Sequence, residues 1–202
     1  MTAGGPAPNL PVEVRFHGRG GQGVVTAAEL LSTAAFDQGR AAQAIPSFGS
    51  ERTGAPVVAF CRVGEAPIRS HDPVDTPDVV VVQDPTMLHI PGILAGLRAD
   101  GLLLVNSTRR PDELALPSRP VRTVTVPASD LARARLGKPL PNTVLLGALA
   151  GLTGMVALPA LQQAIRARFH GSAAEQNAAL AEDGFRSACG YLTSGASRAQ
   201  AD

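Results

Sequence analysis

A short strand that runs directly into a glycine-rich bend constrains this chain more than any other feature. Residues Val12–His17 alternate in polarity, and the apolar stripe of Val24–Gln38 indicates a helix. Between them lie four glycines within six residues, at Gly18, Gly20, Gly21 and Gly23. Glycines allow positive φ values and let the backbone approach a ligand closely. The helix that follows would point its unpaired N–H groups and the positive end of its dipole at that ligand. The ligand is therefore predicted to be anionic.

The rest of the chain alternates between strand and helix patterns. Predicted strands follow at Ala41–Ile45, Val57–Arg62, Val79–Val82, Leu102–Val105 and Val121–Val126. Predicted helices are Met87–Leu97, Asp130–Leu136 with Ser129 as its N-cap, Thr143–Leu152, Leu158–Phe169, and Ala173 to about Tyr191. This order predicts an α/β, Rossmann-like fold: a mostly parallel sheet with helices on both faces and a helical C-terminal third. We expect one domain over residues 12–192, with a flexible leader at 1–11 and a frayed tail at 193–202.

Composition excludes several classes of function. A net charge of +1 does not indicate binding to the phosphates of a nucleic acid, and 3% aromatic residues are too few to indicate stacking on its bases. The two cysteines, Cys61 and Cys189, form no C-x-x-C motif, so this chain alone cannot hold a four-thiolate iron–sulfur cluster. The start lacks the basic and apolar regions of a signal peptide, and no apolar run is long enough to insert into a membrane. These patterns predict a cytoplasmic protein.

A second polar segment, Pro46–Gly54, connects two predicted strands. It contains two glycines, two serines, a Glu and an Arg. A simple turn does not require so many polar and charged side chains, so the segment is a candidate binding site. Arg52 could clamp a phosphate or carboxylate with two parallel hydrogen bonds. The alternative is that Glu51 and Arg52 are solvated charges on a long loop.

The spacing Gly18-x-Gly20-x-x-Gly23 also matches the dinucleotide fingerprint. That motif requires an acidic residue at the tip of the second strand to hold the ribose hydroxyls. Here the strand Ala41–Ile45 ends in Pro46-Ser47, and the first acid is Glu51, well into the loop. The NAD version of the motif therefore fails, whereas an NADP version, with Arg52 at the 2′-phosphate, stays open.

Other polar residues lie where predicted strands end. His17 is predicted to be a packed or capping histidine, and Asp84 a turn or helix-cap residue. Asn106 and Ser107 could line a crevice or cap the next element, and the sequence does not choose between the two.

Two motifs together resemble a known family. The loop Gly18-Arg19-Gly20-Gly21-Gln22-Gly23, followed by Pro46–Gly54, is similar to the gamma subunit of 2-oxoacid:acceptor oxidoreductases, the group that contains pyruvate:ferredoxin oxidoreductase. That family usually has Gly-x-Gly-Gly-Gln-Gly, then Pro-Ser-Tyr-Gly-x-Glu-x-Arg-Gly-Gly. The later segment Pro141–Leu149 is similar to the family's Asn-x-x-x-Leu-Gly-Ala helix start. This chain departs from the pattern in having Phe48 for Tyr, Arg52 one position early, and Thr53 where Gly or Arg is usual.

The resemblance implies a subunit with no activity alone. Such complexes oxidatively decarboxylate a 2-oxo acid to an acyl-CoA, with thiamine diphosphate, Mg and [4Fe-4S] clusters in partner subunits and ferredoxin or NAD as acceptor. The implied partners are alpha, beta and ferredoxin-like delta subunits. This chain would hold no cofactor alone and would help to bind CoA through its two motifs, with Gly18, Arg19, Gly20, Gly21, Gln22, Gly23, Ser47, Gly49, Glu51 and Arg52 as site residues. The alternatives are a free-standing NAD(P)-binding Rossmann oxidoreductase and a nucleotide-sensing or purely scaffolding module without catalytic duty.

Overall fold

The computed structural model describes residues 11–47, 54–70, 72–114, 116 and 122–199. The strands are β1 (Val12–Arg19), β2 (Ala41–Ser47), β3 (Pro56–Gly64), β4 (Val79–Val82), β5 (Leu102–Asn106) and β6 (Arg122–Val126). The helices are α1 (Val24–Asp37), α2 (Ala128–Leu136), α3 (Asn142–Thr153), α4 (Leu158–Arg168) and α5 (Ser172–Ala199). Two short 3₁₀ helices occupy Pro85–His89 and Pro111–Glu113.

The strands form one mixed sheet in the order β2-β3-β1-β4-β5-β6. Strands β1, β4, β5 and β6 pair in parallel, whereas β3 is antiparallel to both of its neighbours. The carboxyl ends of the parallel strands therefore meet at one edge of the sheet. Because β3 runs the other way, it begins at that same edge, where Pro56 lies opposite Arg19.

Both faces of the central strands are buried. In β4, Val79 and Val81 belong to a large core shared with all five α-helices, whereas Val80 and Val82 belong to a smaller core on the opposite face. Alternate residues of a strand point to opposite faces, so a strand covered on both sides must be apolar throughout. The α/β class and the helical C-terminal third are confirmed. The second face, however, is covered by the 3₁₀ helix Pro85–His89 and by turns, not by an α-helix.

Several element boundaries differ from the prediction. Strand β1 continues through Gly18 to Arg19, so the bend itself is confined to residues 20–23. The predicted helix Met87–Leu97 is wrong, since only residues 85–89 form a 3₁₀ helix and turns follow. Pro91 lacks an N–H group, and Gly92 and Gly96 have positive φ values, which no α-helix accommodates.

Two helix ends also differ from the prediction. Helix α2 begins at Ala128 with Pro127 as its N-cap, so Ser129 lies inside the helix instead of capping it. Helix α5 runs to Ala199, into the segment predicted as a frayed tail. The leader residues 1–10 and the end of the tail, 200–202, lie outside the described residues. Within the described part of the chain, no helix combines the length and apolarity that a membrane span requires.

Helix α3 anchors the C-terminal third to the sheet. Every residue from Asn142 to Leu152 is buried, and α3 packs closely along α5. Two glycines make this crossing possible. A Cβ on Gly147 would overlap the carbonyl oxygen of Ala181, and a Cβ on Gly184 would overlap that of Val144. The backbones of the two helices therefore touch where these glycines lie.

Candidate functional site

The bend after β1 is held in place by backbone hydrogen bonds to the segment that leads into β3. Gly20 N–H donates to the carbonyl of Ala55 over 2.9 Å, and Gly54 N–H donates back to the carbonyl of Gly20 over 3.3 Å. Gly21 and Gly23 take positive φ values of 93° and 73°, which only glycine adopts without strain. The backbone hydrogen bonds therefore fix the start of the loop, and its later residues adopt conformations that favour glycine.

Among the described residues, the N-terminus of α1 has no side-chain cap or first-turn acid to balance the positive end of its dipole. Its N-cap is Gly23, which offers no side chain to accept from the first-turn N–H groups, and the first turn carries no acid. The orphan N–H groups at residues 24–26 therefore lack the usual side-chain acceptor. No described atom lies within 4 Å of the position that a Cβ on Gly21 would take. An anion can approach the helix end from this open side.

Two glycines of the loop are closely packed against neighbouring side chains. A Cβ on Gly18 would lie 2.6 Å from Cγ2 of Val24 and 3.2 Å from Cβ of Gln83. A Cβ on Gly23 would lie 2.5 Å from Nδ2 of Asn142, the first residue of α3. These distances are below normal contact, so a larger residue at either position would have to displace the side chain of Val24 or Asn142.

Arg19 connects the loop to the end of β4. Its Nε donates to Oδ2 of Asp84 over 2.9 Å, its Nη1 to the carbonyl of Gly54 over 3.2 Å, and its Nη2 to Oγ1 of Thr86 over 2.9 Å. Gln22 adds to the same cluster: its Oε1 accepts from the Arg19 N–H over 2.7 Å, and its Nε2 donates to Asp84 over 3.3 Å. The guanidinium is thus already engaged within the protein.

Asp84 caps the 3₁₀ helix and pairs with Arg19 in this cluster. As predicted, it caps a helix, since Oδ1 accepts from the N–H of Thr86 over 3.0 Å at the start of the 3₁₀ helix. Partial burial alone would raise the pKa of Asp84, but the hydrogen bonds from Thr86 and the charge of Arg19 outweigh it and lower that pKa below its usual range. Asp84 is therefore a carboxylate at neutral pH and balances the charge of Arg19.

His17 is packed inside the protein. It is 7% exposed, and its Nε2 accepts from Nε of Arg15 over 3.0 Å. Burial, reinforced by the nearby charge of Arg15, lowers the pKa of His17 to about 4. Arg15 in turn donates from Nη2 to the carbonyls of Ile93 and Ala95 and so fixes the turns on the second face of the sheet. The expectation of a packed histidine is confirmed.

Asn106 caps a helix, which decides between the two alternatives that the sequence left open for it. Its Oδ1 accepts from the N–H of Ser129 over 3.0 Å, and its Nδ2 donates to Oγ of Ser129 and to the carbonyl of Gln83. The side chain of Gln83 is fully buried, and neither of its amide atoms has a hydrogen-bond partner among the described residues. Polar groups therefore lie beneath the glycine loop, between the ends of β4 and β5.

Comparison with known proteins connects this geometry to one family. The model of a family described as pyruvate ferredoxin/flavodoxin oxidoreductase matches residues 13–187. The chain belongs to that family. It is 45% identical to the pyruvate/ketoisovalerate oxidoreductases common subunit gamma of Thermococcus kodakarensis, over 89% of this chain and 98% of that one. It is 51% identical to the pyruvate synthase subunit PorC of Methanosarcina barkeri, over 77% of this chain and 85% of that one.

A solved structure agrees with this assignment. The crystal structure of pyruvate oxidoreductase subunit PORC from Thermotoga maritima is similar with a TM-score of 0.76 and 36% identity, over 87% of this chain and 96% of that chain. Within the pyruvate ferredoxin/flavodoxin oxidoreductase family, this chain is a gamma subunit of a multi-subunit 2-oxoacid oxidoreductase. The alternative of a free-standing NAD(P)-binding oxidoreductase is not favoured.

Some of the residues predicted for the gamma-subunit site are described by the structure, and others are not. The structure brings together the loop residues Gly18, Arg19, Gly20, Gly21, Gln22 and Gly23. Ser47 ends β2 at the same edge of the sheet, because it pairs with Val58, which in turn pairs with His17. Gly49, Glu51 and Arg52 lie outside the described residues.

Asp84 was predicted at a strand end as a turn or helix-cap residue but not as a partner of Arg19, and Asn142 was not predicted as a neighbour of the loop. Asp84 follows the all-valine strand β4, and in a parallel arrangement that strand would end beside β1, so its position gave a usable signal. Asn142 gave none, because its approach to Gly23 depends on how α3 crosses the sheet.

Proposed function

We propose that this gamma subunit binds coenzyme A at the glycine loop, within a cytoplasmic complex that oxidatively decarboxylates a 2-oxo acid to an acyl-CoA. Partner alpha, beta and ferredoxin-like delta subunits would hold thiamine diphosphate, Mg and [4Fe-4S] clusters. The loop residues that we propose for CoA are Gly18, Arg19, Gly20, Gly21, Gln22 and Gly23, with Ser47, Gly49, Glu51 and Arg52 from the neighbouring segment.

One observation carries this proposal: the N-cap of helix α1 is a glycine that offers no side-chain acceptor, and it lies at the edge of the sheet where the parallel strands end. Ligands of open α/β sheets bind beyond the carboxyl ends of the strands. The pyrophosphate of CoA carries the negative charge that suits a helix N-terminus, and the glycines leave room for it to approach the backbone.

Arg19 has a positioning role in this proposal. Because its guanidinium is bound by Asp84, Thr86 and Gly54, it fixes the loop against β4 and the start of β3. The N–H groups of Arg19, Gly20 and Gln22 are already used within the protein. The N–H groups at the start of α1 are then left to bind the phosphates. Preformed donors avoid the ordering cost that a flexible loop would impose on binding.

The proposal is tested with Gly21→Ala in the assembled complex. Gly21 has a positive φ and open space around it, so a methyl group would force the loop to change its conformation and would stand on the side from which the phosphates approach. We expect the KM for CoA to rise at least about tenfold, the effect of losing a charge-assisted hydrogen bond or two. Decarboxylation that does not require CoA should be largely unchanged.

Gly39→Ala is the matched control. Gly39 also has a positive φ, of 79°, and no described atom lies within 4 Å of the position that its new methyl group would take, but it follows the opposite end of α1. It therefore imposes the same kind of backbone strain without touching the proposed site. A KM for CoA that stays unchanged in Gly21→Ala, or rises equally in both variants, would contradict the proposal.

A further inference from the structure

A cavity of about 370 Å³ lies beside the glycine loop, at the ends of β4 and β5. One wall is the 3₁₀ helix Pro85–His89, and the other is the turn that follows β5. Its volume is within the range of small-molecule sites, and its location is the edge at which such sheets bind ligands. The gamma-subunit motifs identified from the sequence do not include this cavity.

The lining combines basic, hydroxyl and apolar side chains. Arg109 and His89 are exposed, and neither forms an ion pair within the described ranges. Ser107 shapes the turn, because its Oγ accepts from the N–H of Arg109 over 3.0 Å. Leu88 and Leu114 supply the apolar part of the lining. A ligand with a flat apolar body and a separate anionic group would match this combination.

Thr86 joins the cavity to the glycine loop. It lines the cavity, and its Oγ1 accepts from Nη2 of Arg19 over 2.9 Å. The two sites are therefore neighbours, and one extended ligand can occupy both. If phosphates are bound at the start of α1, the cavity is close enough to receive one of the two groups attached to them.

Those two groups differ in charge, which allows a choice between them. The pantetheine arm of CoA is uncharged, whereas the other end is an adenosine that carries a 3′-phosphate. A guanidinium without an acidic partner binds a phosphate through parallel charge-assisted hydrogen bonds and offers an uncharged arm no such advantage. We infer that the cavity takes the 3′-phosphoadenosine end of CoA, with Arg109 binding the 3′-phosphate. This inference depends on the proposed function.

The test compares CoA with dephospho-CoA, which lacks only the 3′-phosphate, in the assembled complex. The unmodified complex should favour CoA at least about tenfold in kcat/KM, because a site built for a charged group rejects the analogue that lacks it. Arg109→Ala should reduce this preference to about twofold or less. The loss should fall on CoA, while kcat/KM for dephospho-CoA stays the same.

Arg110→Ala is the control, since Arg110 is adjacent in sequence but paired with Asp112 and Glu113 on the surface. It should keep the full preference for CoA. The inference is overturned if the unmodified complex does not discriminate, if Arg109→Ala keeps the preference, or if that variant weakens both compounds equally. These results are distinct from failure of the proposed function, which would appear as an unchanged KM for CoA in Gly21→Ala.

Discussion

Arg19 and Asp84 illustrate how a residue in a binding motif can act on the protein itself. Arg19 is among the residues proposed for CoA, yet its guanidinium is used by Asp84, Thr86 and the carbonyl of Gly54. Sequence alone could not show this, because the partners come from the ends of two other strands. At the scale of single residues, the site is a loop restrained by an internal ion pair.

Asp84→Asn tests that restraint. The substitution keeps an oxygen for the 3₁₀ cap but removes the charge opposite Arg19, so we expect a loss of about 1 kcal/mol in the free energy of unfolding. Because the pKa of Asp84 is depressed in the folded protein, its stabilisation is present above the unfolded value of about 3.9 and is lost as pH falls through the lower folded value. Asp84→Asn should remove this acid dependence.

The measurement is urea unfolding of the full chain as a function of pH. Asp112→Asn is the control, because Asp112 pairs with Arg110 where both side chains are about two-thirds or more exposed. It should change stability by less than about 0.5 kcal/mol. Equal losses in the two variants would show that the Arg19–Asp84 pair restrains nothing.

His17 gives a second prediction that depends on pH. Its pKa of about 4 in the folded protein lies below the ordinary value of 6.5, so the unfolded chain binds a proton first as pH falls. The stabilisation is complete above pH 6.5 and is lost progressively towards pH 4, to an extent of about 3 kcal/mol.

His17→Gln should flatten this pH dependence. Glutamine still offers Arg15 an acceptor but does not titrate, so its free energy of unfolding should vary less between pH 6.5 and 4 than that of the unmodified protein. Chemical unfolding of both proteins across that interval supplies the measurement. Identical pH slopes would mean that His17 is not the group responsible.

At the scale of elements, the sequence predicted what depends on local pattern. All six strands were predicted, because alternating and continuous apolar runs are local signals. The last three helices were also recovered, since long periodic segments are the most reliable. Met87–Leu97 failed because its apolar residues fill the smaller core from turns that contain proline and glycine. An apolar stripe does not distinguish those turns from a helix.

The crossing of α3 and α5 makes a prediction at this scale. Gly147→Ala should lower the free energy of unfolding by about 3 kcal/mol, because the new methyl group would overlap the backbone of Ala181 and the helices would have to separate. Gly190→Ala, on α5 with no described atom within 4 Å of the new methyl, should be neutral or should stabilise by up to about 1 kcal/mol. Urea unfolding compares the two, and equal effects would exclude a tight crossing.

At the scale of the whole molecule, topology assembles the site. The antiparallel insertion of β3 brings Gly54 and Ala55 to the loop, and the parallel neighbour β4 brings Asp84. The motif Gly18–Gly23 was recognisable from sequence because glycine spacing is local. The position of Asp84 at a strand end was also predictable, but its pairing with Arg19 and the approach of Gly54 and Ala55 were not, because they depend on strand order and on the direction of one strand.

The most direct test of the account is a structure of the assembled complex with CoA bound. The account predicts the pyrophosphate within hydrogen-bond distance of the N–H groups at the start of α1, with the Arg19–Asp84 pair intact beside it. If CoA instead lies wholly within the partner subunits, and the loop at Gly20–Gly23 is packed against protein with no phosphate near it, the central claim is wrong.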